Sequence, residues 1–150
     1  MLRGDRTVSL PAPLGELPLL ARAGTLLVLL PPDVDTLAGY GDSSPAVSLN
    51  ERRGERTLLA FPRGASSARL EDGGSLASRE RPGEWRLTIR GKRRRLWTIS
   101  ASLATLRKPF RPCAVRAASG KLVSWRYDAA TKVLHAKYRA RHATLVARGC

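Results

Sequence analysis

Twelve carboxylates are available for acid–base or metal chemistry in this chain of 150 residues. Glu71 and Asp72 are adjacent, so on a strand their side chains would leave opposite faces. Asp33 and Asp35 could share a face, but they follow Pro31 and Pro32 in what reads as a rigid loop. Neither pair is placed for general acid–base work, and a turn or surface role suits each acid. His135 and His142 offer two ligands where a zinc site wants three or four, and His135 reads as an ordinary face residue. Cys113 follows Pro112 with no base beside it in sequence, which leaves a nucleophilic role without support. No Cys-x-x-Cys pair and no Gly-x-x-x-x-Gly-Lys loop occurs, and Gly73-Gly74 reads as a turn. No catalytic residue, no metal ligand and no cofactor is expected from this chain.

Aromatic side chains can stack on sugars or bases, which singles out Trp85, Trp97 and Trp125. Trp85 alternates with Leu87 and Ile89, and Trp97 with Ile99, so both are expected in a core. The face of Trp125, beside Arg126 and Tyr127, is left open, and so is any sugar-binding set. Cations are abundant: 27 basic residues, only five of them lysine, give a formal charge of +15. The one dense run is Lys92, Arg93, Arg94 and Arg95, next to Trp97. Cations beside an aromatic could hold single-stranded nucleic acid. The arginines are scattered along the whole chain, however, and solvated strand faces or an acidic partner domain explain them better.

Elements able to position these residues are short. Ten prolines and thirteen glycines interrupt apolar segments that alternate with period two. That is the pattern of strands with turns every 8–12 residues or so. Strands are expected at residues 7–10, 17–20, 25–30, 56–61, 68–71, 85–90, 96–100, 110–115, 122–127, 133–138 and 143–148. The run from Leu26 to Leu30 is apolar on both faces, as in a strand covered on both sides. Gly91-Lys92 reads as a hairpin turn, which would put residues 92–95 at a solvated tip. Residues 36–52 read as a loop. Cys113 and Cys150 read as unpaired thiols, with a disulfide between them as the alternative in an oxidising compartment.

The apolar content of 43% fits a globular chain. No apolar run approaches the roughly 20 residues of a membrane-spanning helix. The segment Met1-Leu2-Arg3-Gly4-Asp5-Arg6 lacks the apolar stretch of a secretory signal, and the cytoplasm is favoured on that reading.

Three segments in order carry a resemblance. The first is Pro13-Leu14-Gly15-Glu16-Leu17-Pro18-Leu19-Leu20-Ala21-Arg22-Ala23-Gly24, running into residues 25–30. The second is Thr57-Leu58-Leu59-Ala60-Phe61-Pro62-Arg63-Gly64, closed by Leu70-Glu71-Asp72-Gly73-Gly74-Ser75. The third is Val123-Ser124-Trp125-Arg126-Tyr127-Asp128 with Lys132-Val133-Leu134-His135-Ala136-Lys137. Their order and spacing resemble the region that follows the catalytic barrel in glycoside hydrolase family 31, the α-glucosidase and α-xylosidase family. The Gly73-Gly74 turn departs from the family's usual Asp-Asp-Gly, and the basic run at 92–95 is unusual for it.

The resemblance implies an all-β protein, two small antiparallel β-sandwiches in tandem, residues 1–77 proximal and 78–150 distal. It implies a non-catalytic accessory region packing on a catalytic barrel that this sequence does not contain. The two carboxylates of family 31 hydrolysis belong to that barrel, about 5–5.5 Å apart in a retaining enzyme. The loop at 31–52 and residues 22–24 would lie nearest the barrel. Homodimerisation through the face meant for the barrel is a further expectation. A stand-alone carbohydrate-binding module and a basic nucleic-acid binder are the alternatives.

Overall fold

A computed structural model describes residues 2, 7–15, 17–34 and 47–150. Eight strands form one sheet: β1 (Leu26–Leu29), β2 (Glu55–Ala60), β3 (Ala65–Arg69), β4 (Ser75–Arg81), β5 (Glu84–Ser102), β6 (Pro112–Ala117), β7 (Lys121–Asp128) and β8 (Val133–Gly149). The fold is all-β and sandwich-like, with one 3-10 turn among the described residues, at Leu103–Thr105.

Two long strands organise it. β5 has 19 residues and β8 has 17, and they pair antiparallel along nearly their whole length. The register shifts between Arg90 and Arg95, so residues 91–94 form an irregularity in the middle of β5. On one side of this point the strand order is β3-β4-β5-β8-β6; on the other it is β1-β2-β5-β8-β7. We refer to these as the first and second arms. The outer strands of the two arms approach each other, β1 beside β3 and β6 beside β7. The sheet therefore folds at the β5 irregularity, and its arms enclose a common core.

That core follows from the alternation. Trp85, Leu87 and Ile89 in the first arm and Trp97, Ile99 and Ala101 in the second are all buried, and they belong to one cluster with Leu58, Leu76, Leu134, Tyr138 and Leu145. Burying a large apolar side chain contributes about 1.5–3 kcal/mol. Trp85 keeps its indole N–H satisfied by donating to Ser78 Oγ at 2.9 Å.

Several expectations need correction. Gly91-Lys92 is not a hairpin turn: β5 runs straight through it, and the segments expected at 133–138 and 143–148 are one strand. Gly91 is buried, and a Cβ there would sit 3.1 Å from the carbonyl oxygen of Arg141 on β8. A close backbone crossing, with no chain reversal, is what this glycine permits. Residues 7–10 and 17–20 form no strand and are exposed. β1 is an edge strand pairing only with β2, and Leu29 is 43% exposed, so the strand is not covered on both sides. The β2–β5 pair is parallel, the others antiparallel. The expected loop at 36–52 falls outside the described residues up to position 46.

The cysteines are paired. β6 lies against the end of β8, with Pro112 opposite Gly149, and this brings Cys113 and Cys150 into a disulfide with Cα atoms 5.2 Å apart. It closes a loop across 37 positions, for which chain entropy gives about 4 kcal/mol of stabilisation. Replacing both cysteines with serine should therefore lower the urea midpoint and Tm markedly. Melting curves that superpose with and without the two cysteines would show that the terminal pairing holds without the bond.

Candidate functional site

Glu71 and Asp72 sit in the β3–β4 turn, and the structure gives them a different task from catalysis. Glu71 Oε1 accepts from Arg56 Nη2 at 2.5 Å and from Arg95 Nη2 at 2.9 Å. Asp72 Oδ2 lies 2.9 Å from Arg95 Nη1, a charge contact without hydrogen-bond alignment. Both arginine side chains are only 3% exposed. Arg56 also donates to the carbonyls of Glu55 and Arg52, and Arg95 to that of Arg53. Asp72 Oδ1 accepts from the N–H of Gly74, whose missing Cβ would otherwise meet the Arg90 carbonyl at 2.7 Å. The Gly73-Gly74 turn thus closes tightly over β5.

These contacts set the titration. Partial burial pulls the Glu71 carboxyl upward, but the Arg56 hydrogen bond and the charges of Arg56 and Arg95 outweigh it, leaving the pKa below the usual carboxylate range. Asp72 is lowered in the same way, burial being overcome by the Gly74 N–H and by Arg95. Glu84 is lowered too: burial opposes, and Arg148 and Arg86 prevail.

Other residues singled out from sequence separate. Asp33 pairs with Arg52 at 2.5 Å, and Asp35 lies outside the described residues. His135 Nδ1 is 3.1 Å from Ser100 Oγ, on a strand face as expected, and His142 is exposed further along β8. Among the described residues no group of three or more His, Cys, Asp or Glu side chains could hold a metal ion. Of the basic run, Lys92, Arg93 and Arg94 are exposed while Arg95 is drawn inside. Trp85 and Trp97 are in the core. Trp125, on the edge strand β7, is 38% exposed and borders a concavity of about 230 Å³ with Thr98, Ser124, Arg126, His135 and Lys137.

A further surface was not anticipated from sequence, because its residues read as strands. Leu14, Leu17, Leu19 and Leu20 are largely solvent-exposed, Leu17 at 91%, and the exposure continues through Leu29 and Leu30 at the end of β1. The chain behind them is well anchored. Gly24 N–H donates to the Phe61 carbonyl at 2.6 Å, and Phe61 N–H to that of Thr25 at 2.9 Å. Gly64 N–H donates to Glu80 Oε2, and Thr105 Oγ1 donates to the Pro62 carbonyl. The Arg22-Ala23-Gly24 and Phe61-Pro62-Arg63-Gly64 segments therefore meet at the β1–β2 pair, and the leucines project from it unpaired. Contiguous exposed apolar side chains mark interaction surfaces.

Neither a protein-family model nor a curated protein sequence matches the chain. Among solved structures, it is similar to a glycoside hydrolase family 31 dextranase from Flavobacterium johnsoniae, solved as a mutant complexed with isomaltotriose. The TM-score is 0.54 at 14% identity, over 85% of this chain and 19% of that one. The chain thus has a fold like part of a family 31 enzyme, and spans about a fifth of its length.

The Glu71 cluster yields a pH prediction. Glu71, Asp72 and Glu84 have folded pKa values below their unfolded ones, so the unfolded chain binds more protons in acid. Their stabilisation is full above the unfolded carboxylate range, about 4–4.5, and is lost as pH falls through the lower folded values. Glu71→Gln should cost about 2–3 kcal/mol at neutral pH, less than for a fully buried pair because Glu71 is half open to water. It should also flatten the acid limb of stability against pH. Urea titrations of both proteins from pH 7 to pH 3 check this, and an unchanged limb in the variant would rule the cluster out as its source.

Proposed function

We propose that this chain is a non-catalytic accessory β-sandwich region of a family 31 α-glycosidase-like protein, and that it packs on and braces a catalytic barrel. The observation that carries the reading is the fold-level likeness to part of a family 31 dextranase, reached independently of the motif order in the sequence. Two features support it. The acids Asp33, Glu71 and Asp72 are engaged by arginine. The exposed leucines flank the segment that, by the family resemblance, faces the barrel. In this reading the exposed leucines between positions 14 and 20 and at the end of β1 supply the docking surface, and the acid–base chemistry belongs to the barrel. The division into a proximal part up to residue 77 and a distal part from 78 is proposed on the family resemblance alone. The Cys113–Cys150 disulfide favours an oxidising compartment over the cytoplasm.

The purified chain should hydrolyse neither aryl α-glucosides nor isomaltose above buffer. Added to a family 31 barrel from the same genome, expressed without its own C-terminal sandwich, it should bind and raise the barrel's Tm. Replacing Leu17, Leu19 and Leu20 with aspartate should abolish that binding without changing the chain's own melting, since these side chains are exposed. Turnover by the chain alone would refute the reading. Self-association lost in the same variant, with no barrel binding, would assign the surface to a homodimer instead.

Trp125 favours one second reading, a carbohydrate-binding module, because its exposed indole borders a concavity that also carries Ser124, His135 and Lys137. With Trp85 and Trp97 buried, quenching of tryptophan fluorescence by oligosaccharides would report on Trp125. Isomaltotriose should quench the intact chain and leave a Trp125→Phe variant unaffected if this reading holds; inert fluorescence would count against it.

A further inference from the structure

The outer surface of the first arm carries a dense set of arginines. Side chains on one face of β3, β4 and β5 line a groove of about 560 Å³. Its floor is small and hydroxylated, with Ser67, Ala77, Ser75 and Thr88. Its charged side chains are Arg79, Arg81, Arg86, Arg90 and one acid, Glu84. The pairing register explains the density: Arg79 stands directly opposite Arg86, Arg90 opposite Ser75 and His142, and Arg81 opposite Glu84. Like charges facing each other across a strand pair are destabilising. Glu84 is occupied with Arg86 at 3.1 Å and Arg148 at 3.0 Å. Among the described residues no carboxylate lies within 4.0 Å of Arg79, Arg81 or Arg90. The cationic surface continues past the β4 end, where Arg79 and Arg81 border a second concavity with Arg107, Lys108 and one acid, Glu80, which accepts from the N–H groups of Gly64 and Arg107.

We propose that this groove binds an acidic polysaccharide, a glycan whose repeating units carry carboxylates. Guanidinium forks match carboxylates in a two-point geometry that ammonium groups do not supply, and every cation in the groove is arginine. Serine and threonine hydroxyls along the floor complement sugar hydroxyls. Small floor residues leave room for a chain to lie across the strands. A nucleic-acid strand is a poorer occupant, because the groove has no aromatic side chain on which bases could stack. A protein partner is poorer too, because no large apolar or aromatic side chain lines the groove to serve as an anchor. The inference rests on the charge and shape of this face alone and stands or falls separately from barrel docking.

Isothermal titration with polygalacturonate, neutral dextran, polyglutamate and polythymidylate tests it. The intact chain should bind polygalacturonate, more weakly as salt rises, and should not bind dextran through this face. The double variant Arg79→Gln/Arg90→Gln should weaken polygalacturonate binding about tenfold or more. Arg93→Gln/Arg94→Gln, with the same charge loss at the exposed β5 irregularity, should leave it nearly unchanged. Melting curves establish that both variants are folded; if the first is not, Arg81→Gln replaces it. Equal weakening by the two doubles would reduce the effect to bulk charge and overturn the proposal. So would absent polygalacturonate binding, or polyglutamate or polythymidylate bound as tightly at matched charge.

Discussion

Two guanidinium groups buried between the arms constrain much of this structure. Arg95 lies where β5 resumes regular pairing after its irregularity, and Arg56 lies on β2 beside it. Removing a charge from water costs several kcal/mol even after relaxation, so each guanidinium must meet an anion. Glu71 and Asp72 supply it from the β3–β4 turn. That turn belongs to the first arm, whereas Arg56 and Arg95 belong to the second. Satisfying the charges therefore fixes how one arm closes on the other. The network contributes geometric specificity more than net stability, since an apolar replacement of matching shape would avoid the desolvation cost.

Alternation made the local structure legible. Trp85, Leu87 and Ile89 share a buried face, as do Trp97 and Ile99, because period two is a property of the strand itself. The connection between those two runs was not legible. A glycine followed by lysine and three arginines suits a solvated turn, and it suits a mid-strand irregularity equally well. The arbiter is a partner strand long enough to pair on both sides of Gly91, and that partner segment of β8, around His142, lies some 50 residues on. For the same reason Arg95 was counted with its exposed neighbours, although the register shift turns it inward.

Edges and crosslinks were hidden by the same non-locality. Residues 17–20 have the composition of a strand, but they pair with no strand among the described residues, and the leucines remain in solvent. Cys113 and Cys150 carry no pairing signal until β6 is laid beside the end of β8. The acids gave a partial signal. Adjacency ruled out a shared-face carboxylate pair at Glu71 and Asp72, yet in a turn both reach Arg95.

The high formal charge acquires a location once the arms are distinguished. Buried arginines are compensated at the hinge, while Arg79, Arg81 and Arg90 face solvent on the first arm with no carboxylate among the described residues within 4.0 Å. The exposed leucines leave from β1, an outer strand of the second arm. An apolar surface and a cationic surface thus sit on different arms of one folded sheet. Apolar contact suits permanent docking, where burial from water dominates. Arginine-lined polar grooves suit reversible, salt-sensitive capture. A region braced through its leucines could keep the arginine face turned to solvent, so that holding a barrel and holding a charged glycan need not compete.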